Sequence, residues 1–281
     1  MSAPASYETN TFPASEMDPS VPASADFYRH ANGAWLDANP IPPEFPRWGT
    51  FTLVNERAVA ELHNIVKECA ETPKNADEAM IGDFWRSGMD EARLNDLGVQ
   101  PVMGLIGEVR EAVGDKAKLA RVVAKLHMLD IGVLFNFGVS EDVNNTTQMI
   151  FKVSQGGLGL PDRDFYLQDA RAEIRSKYLD FAATLFSALG LDADAAAAAA
   201  AQVLALETRL AEASWPKAEL RDAKKKDNPR TVAALREEMR GFDLDAYLAA
   251  LGAAERMGGE CAGPLNNGTP SYFTEGLGVV L

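Results

Sequence analysis

The apolar residues of this chain recur at the spacing of an α-helix along most of its length, and this period changes only once. Between residues 52 and 70, Val54, Ala58, Leu62 and Ile65 recur every three or four positions. Helices are predicted over residues 26–35, 52–70, 76–91, 101–113, 116–130 and 231–241, from about 170 onward, and around a run of seven alanines at 195–201. The period therefore predicts a mainly α fold.

Two helices of the second half have recognisable apolar faces. The first face consists of Tyr178, Phe181, Leu185, Phe186 and Leu189, and the buried face of the next helix is expected to consist of Val203, Leu206 and Leu210. Because alanine is the best helix former, the alanine run is interpreted as closely packed helix and not as a low-complexity segment.

The single change of period lies between residues 131 and 154. In residues 131–140 (IGVLFNFGVS), Val133, Phe135 and Phe137 occupy every second position, as on one face of a strand. Residues 146–154 (TTQMIFKVS) form a second run that is rich in residues common in strands. The polar segment 141–145 (EDVNN) joins them. The pattern predicts a small antiparallel β-hairpin near 132–154 within the helical fold.

Composition excludes several classes of partner. The net charge is −14 and the sequence pI about 4.7, whereas nucleic-acid binding needs a basic face. The one dense basic cluster, residues 224–226, is flanked by Asp222 and Asp227 and is interpreted as a solvated helix end or loop. No apolar run reaches 18 residues, the length that a membrane-spanning helix needs. From the charge and from the absence of such a run, neither a nucleic-acid partner nor a membrane is expected.

The thiols and the first residues bear on localisation. Cys69 and Cys261 are far apart and belong to no CxxC pair, so both are expected to be free thiols in a reducing compartment. Residues 1–25 are rich in Ser, Ala and Pro and lack an apolar signal core, which predicts a disordered leader. A cytoplasmic protein is expected.

The segment SQGGLGLPDRDFY, residues 154–166, superficially suggests a nucleotide-binding loop. It lacks the lysine and hydroxyl of a phosphate-binding loop, because Pro161 and Asp162 follow the last glycine. It also lacks the third glycine of a dinucleotide fingerprint. The segment is interpreted as the exit from the second strand, where glycines permit unusual backbone geometry and Pro161 forces a turn before a helix near Asp169.

Catalytic motifs are absent from the printed sequence. His30, His63 and His127 are isolated, and there is no HExxH, no GxSxG and no calcium-binding loop. The 41 acidic residues offer too many carboxylate pairs for any one to be selected. On residue chemistry alone, no catalytic residue and no metal ligand is assigned.

Several segments nevertheless resemble one family in order along the chain. They are DFYRHANGAWLDANPIPPEFPRWGTF, IGDFWRSGMDE, SQGGLGLPDRDFYL, ELRDAKKKDNPRTVAALRE and GTPSYFTE. Together they resemble the neprilysin and endothelin-converting-enzyme family of zinc metalloendopeptidases, in its bacterial oligopeptidase branch. The resemblance covers residues 26–281.

The resemblance implies a mostly α-helical, two-lobed fold around a closed cavity. In that family the HExxH helix, the later glutamate ligand and the substrate-aligning strand lie in the C-terminal half, which this chain lacks. Residues 26–50 would then be an extended connector that packs on the catalytic half, and 51–281 a helical lobe incomplete at its C-terminus. Zinc would be present only in the complete enzyme, and no cofactor is expected in this chain.

One substrate-binding residue is implied by the resemblance. The arginine of the family's R-[WY]-G-x-F block, which helps to hold the C-terminal part of the substrate, corresponds to Arg47. A second arginine of that subsite is replaced by Asn55, and Arg57 lies two positions away, more than half a helical turn. Alternatively, Arg47 stacks on Trp48 or pairs with Glu44 at the surface; both interpretations remain open.

Three hypotheses follow. The chain is the substrate-enclosing lobe of a zinc metalloendopeptidase, inactive alone and binding peptide substrate only together with a catalytic half. Alternatively, it is a non-catalytic helical module that binds peptides or proteins, or a truncated product. An exposed apolar face is expected where the catalytic half would pack, and self-association through this face is a further expectation.

Overall fold

The structure, a computed structural model, describes residues 13–42, 45, 48–252 and 265–278. The chain forms two compact units, residues 1–96 and 97–281. Both units are mainly helical, as the hydrophobic period predicts. None of the described helices is long and apolar enough to cross a membrane.

The first unit consists of helices. They are α1 (Phe27–Ala38), α2 (Thr50–Glu71), α3 (Ala76–Met89) and α4 (Glu91–Leu97), the last of which reaches the boundary between the units. The Asp26 carboxylate caps α1 by accepting a hydrogen bond of 2.9 Å from the Arg29 amide. Gly33 lies against the side chain of Asp18, where a Cβ atom would clash. Asp18, within the stretch expected as a leader, thus contacts α1.

The helices α2 and α3 form an antiparallel hairpin. The Asn75 side chain accepts a 2.9 Å hydrogen bond from the Glu78 amide, and the Glu78 carboxylate accepts one of 2.7 Å from the Lys74 amide, which fixes the start of α3. Gly82 lies on the backbone carbonyl of Cys69. A side chain there would separate the helices, so the close approach of α2 and α3 depends on this glycine. Cys69 is a buried free thiol, and Cys261 lies outside the described residues.

The second unit contains seven α-helices among its described residues. They are α5 (Met103–Glu111), α6 (Lys116–Met128), α7 (Asp164–Leu167), α8 (Ala172–Ala188), α9 (Ala193–Ala213), α10 (Val232–Glu238) and α11 (Leu244–Ala250), followed by a π-helical turn at Tyr272–Leu277. Side chains of Asp115, Asp192, Thr231 and Asp243 cap four of them. The π-helical turn and α11 are absent from the sequence-based assignment.

The predicted hairpin is confirmed and is part of a larger sheet. Strands β1 (Phe135–Asp142) and β2 (Asn145–Gln155) pair antiparallel and are joined by a turn of two residues, not five. Strands β3 (Pro229–Arg230) and β4 (Leu265–Asn267) extend the sheet in the order β1-β2-β4-β3, with β4 parallel to β2. Strands this short have no alternation to detect, so the sequence did not reveal them.

One face of the hairpin forms the centre of the core. Phe135 and Val153 are buried on this face, together with α6, α11 and the π-helical turn. The Phe135 ring lies 5.4 Å from that of Tyr247 and 5.9 Å from that of Phe273, both in edge-to-face geometry. Because side chains alternate along a strand, Lys152 and Ser154 point to the opposite face of the sheet.

The apolar faces expected for α8 and α9 are only partly buried. Phe181 and Leu185 of α8 are exposed, and so is Leu206 of α9, whereas Leu210 is buried. The two helices pack instead through small residues, since Ala182, Ala196 and Ala200 are buried. Alanines permit a close approach of two helix backbones, which leaves the larger side chains at the sides of the contact. The alanine run is therefore packed helix, as expected.

Candidate functional site

The glycine-rich segment leaves β2 and enters α7, so its interpretation as a strand exit is confirmed. Gly157 has φ +75°, a left-handed conformation that favours glycine, and a Cβ atom there would clash with the backbone of Leu134. Gly159 lies against the Tyr178 hydroxyl, where a side chain would also clash. The helix after Pro161 begins at Asp164, earlier than the position near Asp169 that was expected.

A buried carboxylate holds this segment against α8 and α9. Glu207 of α9 accepts hydrogen bonds from the hydroxyls of Tyr166, at 2.7 Å, and Tyr178, at 3.0 Å. The Tyr166 hydroxyl in turn accepts a hydrogen bond of 2.8 Å from the Leu160 amide. Burial raises the pKa of Tyr178 to about 12 and that of Tyr166 further, so both phenols stay protonated and donate. The network fixes the position of the segment.

The other end of the segment is attached to the C-terminus of α9. The Gln155 side chain exchanges two hydrogen bonds with the backbone of Trp215, accepting from its amide at 2.8 Å and donating to its carbonyl at 3.2 Å. The Arg163 guanidinium donates to the carbonyl of Ser214. The Trp215 indole donates to the Ser271 hydroxyl at 2.6 Å. These contacts connect β2, α9 and the π-helical turn.

A cleft of about 320 Å³ lies beside the segment. Its lining includes Gln155–Leu158, Trp215 and an ion pair of 2.6 Å between the Asp162 carboxylate and the Lys217 ammonium. Although burial opposes ionisation of Asp162, its hydrogen bond from Lys217 keeps the pKa of this carboxyl below its usual range. The lining includes two glycines of the segment and an aromatic residue, a composition that suits contact with a polypeptide better than acid–base chemistry.

The predicted site residue Arg47 lies outside the described residues, as does Glu44. Its alternative stacking partner, Trp48, has the ring of Phe45 at 4.8 Å from its own. Asn55 and Arg57 both lie on α2, two residues apart and so on different sides of the helix. The role of Arg47 therefore stays a prediction.

The three histidines make packing contacts. His30 bonds to the carbonyl of Val21 at 2.7 Å, His63 lies 5.4 Å from the ring of Trp85, and His127 is buried next to Tyr247. Across the residues that the structure describes, no three His, Cys, Asp or Glu side chains cluster in a way that could hold a metal ion. The described residues thus do not fit a zinc site, and no step through zinc is derived from them.

The sequence did not single out Glu207, although a signal was present. It lies four residues after Val203 and three before Leu210, on the face of α9 predicted to be buried. A charged residue on a buried helix face needs hydrogen-bonding partners, because burial of an unpaired charge is costly. Its partners, Tyr166 and Tyr178, could not be identified from spacing.

Comparison with known proteins identifies the family of this chain. The model of the N-terminal part of Peptidase family M13 matches residues 23–280. The chain belongs to peptidase family M13. The resemblance to the endothelin-converting-enzyme family, and the assignment to its N-terminal part, are thereby confirmed.

Two curated M13 relatives are similar to most of this chain. Endothelin-converting enzyme 1 of Mus musculus is 32% identical over 216 residues, which are 73% of this chain and 28% of the mouse protein. Endothelin-converting enzyme-like 1 of Homo sapiens is 30% identical over 213 residues, or 71% of this chain and 27% of that protein. The chain thus spans less than a third of the length of these relatives.

Solved structures support the fold of the M13 helical lobe. Zinc metalloprotease Zmp1 of Mycobacterium tuberculosis, in complex with an inhibitor, superposes on 95% of this chain with a TM-score of 0.80 and 28% identity. The superposition covers 40% of Zmp1. PepO from Lactobacillus rhamnosis has a TM-score of 0.69 at 20% identity, over 93% of this chain and 40% of PepO, which shows a shared fold.

Proposed function

We propose that this chain is the N-terminal, substrate-enclosing lobe of a zinc metalloendopeptidase that acts on oligopeptides. The family match over residues 23–280 carries this proposal. It is supported by the similarity to Zmp1, a zinc metalloprotease whose structure contains an inhibitor. The cleft beside the glycine-rich segment, lined by residues of that segment and by Trp215, is suited to hold part of a peptide.

In this proposal the chain binds and encloses, while residues outside it hold zinc and cleave. Arg47 holds the C-terminal part of the substrate through its guanidinium, which pairs with carboxylates in two-pronged geometry. Substitution Arg47→Ala in the complete enzyme then raises KM, whereas Arg93→Ala, on the exposed side of α4, leaves KM unchanged. An equal KM for both variants would refute the role of Arg47.

An exposed apolar surface on α2 and α3 supports the need for a further part of the enzyme. Its largest members are Phe51, which is 95% exposed, and Phe84, which is 83% exposed. The remaining members are Val54, Val59, Leu62, Ile65, Met80 and Ile81. Large apolar side chains exposed in this number are typical of an interaction site in soluble proteins. We expect the catalytic part to cover this α2–α3 surface, and self-association to occur without it.

A cleavage assay tests the proposal. The 281-residue chain is incubated with an internally quenched oligopeptide and zinc, first alone and then with a separately produced M13 catalytic half. We expect cleavage only in the mixture. Zinc-dependent cleavage by the chain alone would contradict the claim that it is inactive by itself, and an inactive mixture would contradict the claim that it completes the enzyme.

The alternative is a non-catalytic module that binds peptides or proteins. The observation in its favour is that the cleft beside the glycine-rich segment is formed entirely by this chain. This function predicts that the chain alone binds oligopeptides as tightly as the mixture does. The lobe function predicts that tight binding needs the catalytic half, so titration of a non-cleavable peptide distinguishes the two.

We further propose a cytoplasmic location, which the buried free thiol of Cys69 supports because cytosolic thiols stay reduced. Fractionation of cells that produce the protein tests this. The expected result is recovery in the cytosolic fraction, and recovery in a secreted or membrane fraction would contradict it.

A further inference from the structure

A second cleft, of about 260 Å³, lies on the face of the sheet opposite the aromatic core. Strand β2 contributes Ile150, Lys152 and Ser154 to it, through the side chains that alternate with the core residues of the strand. The other walls come from Ala223, Lys226 and Asp227 of one loop and from Asn266 of β4. We call it the outer-face cleft. It is separate from the cleft beside the glycine-rich segment.

Hydrogen bonds to its backbone hold the loop over this cleft in place. The Asn266 side chain accepts a 2.6 Å hydrogen bond from the Asn228 amide and donates one of 2.9 Å to the Lys226 carbonyl. Asp222 accepts hydrogen bonds from the amides of Lys224 and Lys225. The basic run is therefore part of a hydrogen-bonded turn.

The three lysines of the turn have different surroundings. The Lys225 ammonium pairs with Glu219 and lies 4.6 Å from the centre of the Trp215 ring, and Lys224 is exposed. Lys226 is half-buried in the cleft, and its ammonium has no hydrogen bond or ion pair with any described residue. The Lys226 ammonium is therefore available to a ligand that enters the cleft.

A second ammonium group belongs to the same cleft. Lys152 is half-buried, and the one partner of its ammonium among the described residues is the backbone carbonyl of Glu141, at 3.1 Å. Asp227 also lines the cleft, and its carboxylate accepts a 2.9 Å hydrogen bond from the Asn144 side chain. With two ammonium groups and one carboxylate, the cleft has one positive charge in excess, which suits a singly charged anion better than a phosphate dianion.

We propose that the outer-face cleft binds the carboxylate of an acidic side chain in a peptide. Lys226 and Lys152 supply the counter-charges, and the Ser154 hydroxyl, which has no protein partner among the described residues, donates a hydrogen bond. Ile150 and Val143 provide apolar wall for the methylene groups of a glutamate side chain. Binding here requires no cleavage, so the inference does not depend on the proposed peptidase function.

Calorimetric or NMR titration of the full chain tests this site with two matched probes. They are the blocked tripeptides N-acetyl-alanyl-glutamyl-alaninamide and its glutaminyl analogue, which differ only in the charge of the central side chain. We expect the glutamyl peptide to bind at least about tenfold more tightly, the ratio that corresponds to one charge-assisted hydrogen bond.

Lysine variants test whether the glutamyl peptide binds in the outer-face cleft. Lys226→Gln weakens glutamyl-peptide binding about tenfold, whereas Lys224→Gln, which removes the same charge from the same turn outside the cleft, leaves it unchanged. Lys152→Gln, on a different element, also weakens binding, so the test does not rest on one loop. Circular dichroism verifies that each variant is folded.

Three results would overturn the proposal. The first is equal binding of the glutamyl and glutaminyl peptides. The second is an equal loss in Lys224→Gln and Lys226→Gln, which would indicate a general effect of charge. The third is tighter binding of inorganic phosphate than of the glutamyl peptide, with displacement of the peptide, which would assign the cleft to free phosphate.

Discussion

The α2–α3 hairpin and the sheet-centred core are built from similar residues but bury them very differently. Phe84 of α3 is 83% exposed, whereas Phe135 of β1 is fully buried among other aromatic rings. The core has strands, helices and a π-helical turn around one apolar centre. The hairpin consists of two helices in contact along one side. The difference is therefore between a core that is closed among the described residues and a hairpin whose large apolar side chains are exposed.

The largest expected effect is the difference in the free energy of unfolding between two Phe→Ala substitutions, one in the core and one in the hairpin. Phe135→Ala removes a ring from the core and should lower the free energy of unfolding by about 3–5 kcal/mol. Phe84→Ala removes a ring that is mostly in water and should change it by less than about 0.5 kcal/mol. Urea denaturation of both variants measures this, and similar losses would show that the hairpin is as buried as the core.

The next effect tests the network that holds the glycine-rich segment. Glu207→Leu leaves the hydroxyls of Tyr166 and Tyr178 without their acceptor and should lower the free energy of unfolding by roughly 2–3 kcal/mol. Glu212→Leu, on the exposed side of the same helix, is the control and should have little effect. An equally small effect at both positions would mean that the buried carboxylate does not stabilise the segment.

Within the hairpin, alanine substitutions of two glycines of α3 distinguish the effect of helix propensity on stability from the effect of packing. Gly82→Ala should cost at least about 1 kcal/mol, because the new methyl group meets the backbone of Cys69. Gly88→Ala, with open space around it, should raise the free energy of unfolding by up to about 1 kcal/mol, since alanine favours a helix. Denaturation of both variants measures this, and a gain at both positions would disprove the close contact of α2 and α3.

The smallest expected effect is a pH dependence that arises in the core. The Val133 carbonyl can only accept, so Nε2 of His127 carries the proton, and Nδ1 accepts from the Tyr247 hydroxyl at 2.8 Å. Burial lowers the pKa of His127 below its ordinary value of 6.5. The unfolded chain then binds more protons than the folded one between these two pKa values. Stability should therefore be complete above about pH 6.5 and fall as the pH decreases through that window.

Urea denaturation between about pH 7.5 and about pH 5 measures this dependence. His127→Gln should flatten this part of the profile, while His63→Gln, exposed on α2, should leave it unchanged. A profile that is the same in His127→Gln and in the original chain would assign the dependence to other groups.

These contrasts also show what the sequence could predict. Most of the longer helices and the β1–β2 hairpin were predictable because the hydrophobic period is a local property of the chain. Strand β4 was not, since its pairing joins Leu265 to Phe151 from a distant part of the sequence. The exposure of Phe181 on α8 was also missed, because periodicity identifies an apolar stripe but not the element that covers it.

The candidate site was predictable to a similar extent. The segment at 154–166 identified the family and was correctly interpreted as a strand exit. The carboxylate that holds it, Glu207, lies 41 residues beyond Tyr166, and spacing alone does not bring such residues together. The role of Arg47 rests on the resemblance and stays a prediction.

Hydrogen exchange tests most directly the central claim that the α2–α3 surface is covered by the catalytic part of an M13 enzyme. Exchange is measured for the chain alone and after addition of a separately produced M13 catalytic half. Amides of α2 and α3 should exchange more slowly in the mixture, and those of β2 and α11 should exchange at the same rate in both samples. Unchanged exchange in α2 and α3 in a mixture that cleaves peptide would contradict the account.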